Sequence, residues 1–385
     1  MKSRGVHLQY SFEATDQRGA ALHNPLFELL TAVHEHGSIQ HAATSLGASY
    51  RHIWGALKRW EAALGEPLIT WAQGQPARLT PFADRLLWAE KRARARLTPH
   101  IEALRAELER VLADALDGSQ HVLTVFASHD LALPLLRDIA NQTHGLHIDL
   151  RFAGSVDALA ALAQGRCLVA GFHVPALQNM QRGSRQFAAA LKPLLKPGQH
   201  KLIGCVRRTQ GLMVRPGNPL GLQGLADLAG RPGHAPRFLN RQSGSGTRLL
   251  MDHLLAEQGL APEAIAGWSD PPEDSHLAVA AALAGGTADA GPGIEAAARA
   301  FGLGFVPLID EDYYLVCLKD ALAHPAVQKL RAALADPAWV LALQGLAGYA
   351  PSHGGQVLAL TQALPWWHFR TARAGTRAPV AAPAR

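Results

Sequence analysis

The stretch FLNRQSGSGTRLLMDHLL, residues 238–255, places small and polar residues where a strand pattern hands over to a helical one. In that arrangement the backbone N–H groups of the first helical turn, the Ser and Thr hydroxyls and the positive end of the helix dipole converge on one point, which suits an anion. Gly244 and Gly246 let the backbone come close, and Arg248 adds a planar cationic fork. Asn240, Ser243, Ser245 and Thr247 complete this candidate set. The spacing is not the GxxxxGK[ST] of a nucleotide P-loop, and Ser243-Gly244-Ser245 is not a nucleophile elbow. The plain alternative is a Gly/Ser turn capped by its own hydroxyls.

Other strand-to-helix junctions carry polar groups too. Ser128-His129-Asp130 follows HVLTVFA, Gly154-Ser155 follows LHIDLRFA, and His173 follows CLVAG-Phe172. His276 opens the helix of DSHLAVAAALAGG, and GPGIEAAARA reads as a further Gly-rich helix start. Ligands of open α/β sheets collect at the carboxyl ends of strands, so one ligand between two lobes could meet Ser128, His129, Asp130, Ser155, His173 and His276. Taken singly, each histidine is more often a cap or a core residue. No acid/base pair, nucleophile dyad or metal cluster emerges, and the HEH at 34–36 lacks the HExxH zinc spacing. No catalytic residue, no metal and no cofactor is therefore expected.

The elements behind these junctions alternate. From His121 onward, strands alternate with helices, which predicts a parallel sheet covered by helices. RFLNR reads as a strand, and the Gly/Pro-rich stretches at 216–219 and 231–236 as crossings into a second lobe. Ahead of His121 the texture is helical: a strand-like HLQYSFEA at 7–14, a helix from Pro25 stopping at Gly37, a short helix to Leu46 and a third from Ser49 to Leu64. TWAQGQPARLTP reads as a hairpin, and a long helix runs from Pro81 to about Leu116, with Pro99 a potential break and DGSQ its exit. Composition sets the frame. At 385 residues with 48% hydrophobic and 18% charged, the chain is globular and exceeds one domain. It shows no apolar run of membrane length and no signal peptide, so a cytoplasmic protein is expected. Cys167, Cys205 and Cys317 are scattered and odd in number, as buried thiols would be.

In the third helix Ile53, Leu57, Trp60 and Leu64 recur at helical spacing and should face inward. That leaves Ser49, Arg51, His52, Lys58 and Arg59 outward, with Ser49 as N-cap, a set suited to the major groove. Residues 51–96 hold nine Lys/Arg against four Asp/Glu, although the net charge of the whole chain is only +6. Basicity is thus local, as a DNA-facing patch requires. A solvated helix face is the bland reading of the same residues.

GSIQHAATSLGASYRHIWGALKRWEAALGEPLI followed by ARLTPFADRLL resembles the winged helix-turn-helix of bacterial LysR-type regulators, and its SYRHIW variant is similar to the molybdate-responsive ModE-type branch. The residues that carry the likeness are Gly37-Ser38, Ala42-Ala43, Leu46, Ser49-Tyr50, Trp54, Gly65 and Leu79-Thr80; Ala83 departs from the family's usual glycine. The resemblance implies a double-stranded DNA operator met by Ser38, Gln40, Ser49, Tyr50, Arg51, His52, Lys58, Arg59 and, on the wing, Arg78. Leu86, Leu87, Ala93, Leu97, Ile101, Leu104 and Leu108 form a long apolar stripe, expected to pair two copies into a homodimer, or a tetramer of two such pairs, rather than to pack on the chain's own α/β part.

NRQSGSGTRLLMD, SHLAVAAALAGGTADAGPGIEAAARAFGLGFVPL, EDYYLV and GYAPSHGGQVLAL together resemble periplasmic-binding-protein-like effector domains of molybdenum-related regulators. That likeness implies a small anionic effector, molybdate or tungstate first, on Ser128, Ser155, Ser245, Thr247 and Arg248. A larger organic or molybdopterin-type anion stays open, as does an enzyme of molybdenum-cofactor metabolism with a DNA-binding head. The expected architecture is an α+β winged helix-turn-helix N-terminal domain (1–80), a long linker helix (81–117), an α/β two-lobed type II periplasmic-binding-protein-like C-terminal domain (118–367), and a disordered tail (368–385).

Overall fold

The computed structural model describes residues 24–71, 75–116, 121–176, 185–230 and 235–367. The strand expected at 7–14, the exit linker DGSQ, most of the 231–236 crossing and the tail from 368 lie outside these residues.

The N-terminal unit is α1 (Pro25–His36), α2 (Ile39–Ser45), α3 (Tyr50–Leu64) and the short antiparallel pair β1 (Ile69–Thr70) and β2 (Arg78–Leu79). Its boundaries follow local chemistry. Pro25 stands in the first turn behind an Asn24 cap, and Gly37 ends α1 at φ 58. Ser38 and Ser49 cap α2 and α3 by accepting the N–H of His41 and His52. Leu30, Val33, Ala42, Ala43, Leu57 and Leu68 fill the core between the helices. Trp60 departs from the expectation: it is 36% exposed, because Ile53 and Leu57 alone take the buried face of α3. Ala83 replaces the usual glycine without disturbance, for it sits fully buried in the same core and its N–H reaches Thr80 Oγ1.

The linker α4 (Pro81–Leu116) is continuous, with Pro99 inside it rather than ending it. Its apolar stripe divides. Leu87 belongs to the winged core, whereas Leu97, Leu104 and Val111 stay 37–51% exposed. A different face of α4, carrying Arg92, Ala95 and Arg96, packs on the chain's own α/β part.

That part contains β3 (His121–Ala127), α5 (Ala132–His144), β4 (Leu146–Phe152), α6 (Ser155–Ala163), β5 (Val169–Pro175), α7 (Arg185–Leu191) and β6 (His200–Val214). It continues through α8 (Gly246–Gln258), α9 (His276–Ala284), β7 (Ala290–Ile294), α10 (Glu295–Ala300), β8 (Gly304–Leu318), α11 (Pro325–Ala335), α12 (Pro337–Gln344), β9 (Tyr349–Pro351), β10 (Val357–Ala359) and α13 (Leu360–Ala363). The sheet runs β10-β6-β8-β5-β3-β4, with β7 and β9 also paired to β6. Among the strands of the described residues, β3 pairs with β4 and with β5 in parallel, whereas β5 with β8 and β6 with β8 are antiparallel, so the expectation of a parallel sheet is corrected to a mixed one. The reason is length: β6 and β8 are 15 residues each and run side by side from one lobe into the other, with register shifts at Gly204/Val206 and Gln210/Gly211.

The first lobe packs α5, α11 and α12, the last through Trp339, over Leu123, Ile148 and Leu315; the second packs α9, through Val279 and Leu283, and α10 over Met213. Two local readings change. RFLNR makes only single bridges, Phe238 to Ala290 and Arg241 to Glu273, and Gly291-Pro292-Gly293 lies in β7, so the helix there begins at Glu295.

Candidate functional site

Three helix starts meet at the cleft between the lobes. α6 from the first lobe and α8 from the second approach so closely that a Cβ on Gly154 would stand 2.9 Å from the Gly244 carbonyl. Glycine at this contact is a packing requirement. Ser245 caps α8, its Oγ accepting the Arg248 N–H at 3.2 Å and donating to the Gln242 carbonyl at 2.8 Å. The first-turn N–H groups of Gly246 and Thr247 have no carbonyl a turn earlier within α8 to bond, and both residues line the cavity. α9 begins at His276, which also lines it.

The cavity encloses about 220 Å³. Ser128, His129, Phe152, Gly154 and His173 form its first-lobe wall; Arg241, Gln242, Ser245, Thr247, Asp274 and His276 form the second, and Arg208 of β6 reaches it from the strands that join them. Both arginines are buried. Arg208 donates to Asp130 Oδ2 and Glu311 Oε1, each at 2.6 Å. Burial works against its charge, but Glu311 and Asp130 outweigh that and raise its pKa above the ordinary arginine value. Among the described residues no carboxylate is bonded to Arg241: its Nε and Nη2 donate to the carbonyls of Glu273 and Asp274 at 3.2 and 2.7 Å. Burial, then the neighbouring Arg208 charge, pull its pKa down to about 10, so it stays cationic at neutral pH with its charge incompletely countered.

The imidazoles are neutral. Burial and then Arg241 bring His129 down to about 4; burial and then Arg208 lower His173; burial, Arg241 and Arg208 hold His276 well below its usual value. Asp130 is kept ionised despite burial, chiefly by Arg208. An ionised Asp130 makes His173 Nε2 the protonated nitrogen at 3.3 Å, so His173 Nδ1 accepts the Ser128 hydroxyl at 2.8 Å. This Ser-His-Asp chain is poorly set for catalysis, since burial and Arg208 oppose the imidazolium that a general base must become. It also commits the Ser128 proton to His173.

The site candidates therefore separate. Ser128, His129, His173, Ser245, Thr247 and His276 come together around the cavity. Ser155 lies just behind it, buried, its Oγ without a hydrogen-bond partner among the described residues; the atoms His129 Nδ1 and His276 Nδ1 share that condition. Asp130 acts through Arg208 and His173 from the second rank. Asn240 is buried away from the cavity on the Trp268 carbonyl, and Ser243 is exposed on the turn. Arg248 is a correction: its Nε bonds Asp252 at 3.0 Å and its guanidinium lies over Trp268, outside the cavity. Sequence reasoning missed Arg208 and Arg241. The signal for the first was a pair of arginines inside the apolar run CVRRTQGL, where a buried strand charge needs partners.

On the winged unit, Gln40, Ser49, Tyr50, Arg51, His52, Lys58, Arg59 and Arg78 are exposed and Ser38 is half-buried. Tyr50 and Trp54 stack at 6.4 Å, and Lys58 lies over Trp54 while bonding Glu61 at 2.8 Å. Among the described residues no group of three or more metal-ligating side chains occurs, and no helix is long and apolar enough to cross a membrane.

Comparison with known proteins follows the same division. Residues 136–335 match the PBP superfamily domain, and residues 26–84 match the bacterial regulatory helix-turn-helix protein family of lysR type. The uncharacterized protein YvgK of Bacillus subtilis (strain 168) is 37% identical over 169 residues, 44% of this chain and 52% of that protein, so the chain spans about half the length of this relative. An uncharacterized protein from the ferredoxin 2Fe-2S gene 5′ region of Clostridium pasteurianum is 32% identical over 111 residues, 29% of this chain and 97% of its own. The crystal structure of CbnR, a LysR family transcriptional regulator, superposes with TM-score 0.38 at 18% identity, covering 80% of this chain and 98% of its own.

Proposed function

Because the chain belongs to the PBP superfamily and carries at residues 26–84 a bacterial regulatory helix-turn-helix of the lysR family, the build of a LysR-type DNA-binding transcriptional regulator with an effector domain, we propose that its cleft binds a small oxyanion that controls how the winged units meet an operator. The observation that carries this is Arg241: a buried guanidinium facing the cavity, bonded to backbone carbonyls rather than to a carboxylate, beside the starts of α6, α8 and α9. Molybdate and tungstate are the favoured effectors, and genes of molybdenum or tungsten supply the favoured targets. The cavity, about 220 Å³, is smaller than the roughly 300–1,000 Å³ of ordinary small-molecule pockets. A molybdopterin-type ligand therefore fits less well.

Asp274 favours a second reading. It lines the cavity and its Oδ1 is buried without a partner among the described residues. A fully ionised tetrahedral oxyanion offers that atom no proton, whereas a small organic anion bearing a hydroxyl or amine does. Calorimetric titration of the full chain with molybdate, tungstate and sulfate decides between them. Binding that discriminates against sulfate supports the oxyanion sensor; no binding of any of the three removes it in favour of the donor-bearing organic anion.

A further inference from the structure

Pro99 has no N–H to give the carbonyl four residues back, so the Ala95 carbonyl loses its helical donor. It accepts instead from Ser275 Oγ at 3.4 Å. The same hydroxyl caps α9 by accepting the Ala278 N–H at 3.1 Å. Beside it, the buried Glu273 carboxylate is held by Arg92 and Arg96 at 2.7–2.9 Å, while the Glu273 carbonyl receives Arg241 from the cavity side. Ala95 packs between Ala278 and Ala281. The part of α4 before Pro99 is thus fastened to the second lobe.

The part after Pro99 is fastened to the first. Arg137 of α5 donates to Glu102 at 2.7 Å, and Arg105 lies 3.9 Å from Asp138. Between the two attachments, Pro99 and His100 line the cavity itself. We infer that α4 is a strut across the cleft, completing the wall of the binding site at Pro99-His100, so that closure of the lobes resets the bend of the helix that carries the winged unit. Two bodies fastened to one helix on either side of a proline cannot change their separation without moving that helix. Trp88 extends the connection: its Cβ sits 3.0 Å from where a Cβ on Gly285 would stand, and its ring meets His34 of α1 edge-on at 5.7 Å. Such coupling is reciprocal, so DNA that prefers one bend tightens the ligand that produces it.

The inference rests on the anion reading only for its trigger, and the test separates the two. Hydrogen exchange of residues 92–104 is followed in the full chain with and without molybdate, alongside calorimetry and the double variant Glu102→Gln/Arg105→Gln. The strut requires exchange there to slow by about tenfold on binding, and the double variant to bind molybdate yet lose that slowing. Binding with unchanged exchange in the parent, or slowing retained in the variant, overturns it. If molybdate does not bind, the anion reading fails by itself, and the approach of the lobes seen here is locked with a Ser155→Cys/Gly246→Cys disulfide across the cleft, the three native cysteines being buried. Different α4 exchange in the oxidised and reduced forms then supports the strut, and identical exchange refutes it.

Discussion

Ser155 and Gly246 face each other across the cleft at the limit of contact: a Cβ on Gly246 would stand 3.0 Å from Ser155 Oγ. Gly246 is helical, so alanine there is acceptable to the backbone and its effect should act through the approach of the lobes. Gly246→Ala should weaken oxyanion binding by about tenfold, roughly 1.4 kcal/mol, with little change in melting temperature. Calorimetry and a thermal melt check the pair of outcomes, and a large drop in melting temperature would instead make Gly246 a core position.

Ser155→Ala should separate stability from binding. Its hydroxyl is buried without a partner among the described residues, so removing it should stabilise the ligand-free protein by about 1 kcal/mol or more. If that hydroxyl is held for the ligand, affinity should fall in the same variant. Denaturant unfolding with and without the oxyanion measures both, and unchanged affinity would take Ser155 out of the site.

Arg241→Gln and Arg248→Ala should behave differently. Loss of the cavity-facing guanidinium should reduce oxyanion binding by about a hundredfold or more, in the range for removal of a charged hydrogen-bond partner. Arg248 touches Asp252 and Trp268 rather than the cavity, so its loss should leave affinity within about threefold. Equal effects from the two variants would show that the anion sits at the mouth of α8, not between the lobes.

The contrast between these arginines shows what the sequence could convey. Caps, turns and helix starts are local: Ser49 was legible as a cap because it acts on a backbone N–H three residues away. The serine- and glycine-rich start of α8 was legible for the same reason. Which arginine faces the cavity was not, because Arg208 is brought there by a strand paired with β8, and its partners Asp130 and Glu311 lie 78 and 103 residues away. Strand direction escaped similarly. A buried apolar run reads alike in parallel and antiparallel neighbours, so the long pairing of β6 with β8 left no periodic trace.

Acid should destabilise the protein through its cavity histidines. His129 stays neutral in the fold down to about pH 4, whereas an unfolded histidine takes its proton near pH 6.5. Below 6.5 the unfolded chain therefore binds more protons, and stability is lost as pH falls from 6.5 towards 4, by about 3 kcal/mol for His129 alone. His173 and His276, lowered in the same direction, add to it. Urea unfolding from pH 7.5 to 4.5 should show this fall, and His129→Gln should reduce it by about the His129 share; a parent profile that is already flat would contradict the neutral imidazoles.

The exposed face of α4 should hold two copies together. Leu97, Ile101, Leu104, Leu108 and Val111 follow alternating steps of four and three, the seam of a two-stranded coiled coil. Leu97, Leu104 and Val111 are 37, 47 and 51% exposed, with Ile101 and Leu108 half-buried between them, while α4 meets the chain's own lobes through Arg92, Ala95 and Arg96 before Pro99 and through Glu102 and Arg105 after it. Self-packing and pairing thus use different residues of one helix. A charge at the centre of the seam would be desolvated against its own copy, so Leu104→Glu should convert the dimer to a monomer whose oxyanion affinity is retained. Sedimentation velocity of parent and variant decides this: a parent that is monomeric, or a variant that stays dimeric, would move the contact between copies away from the linker helix.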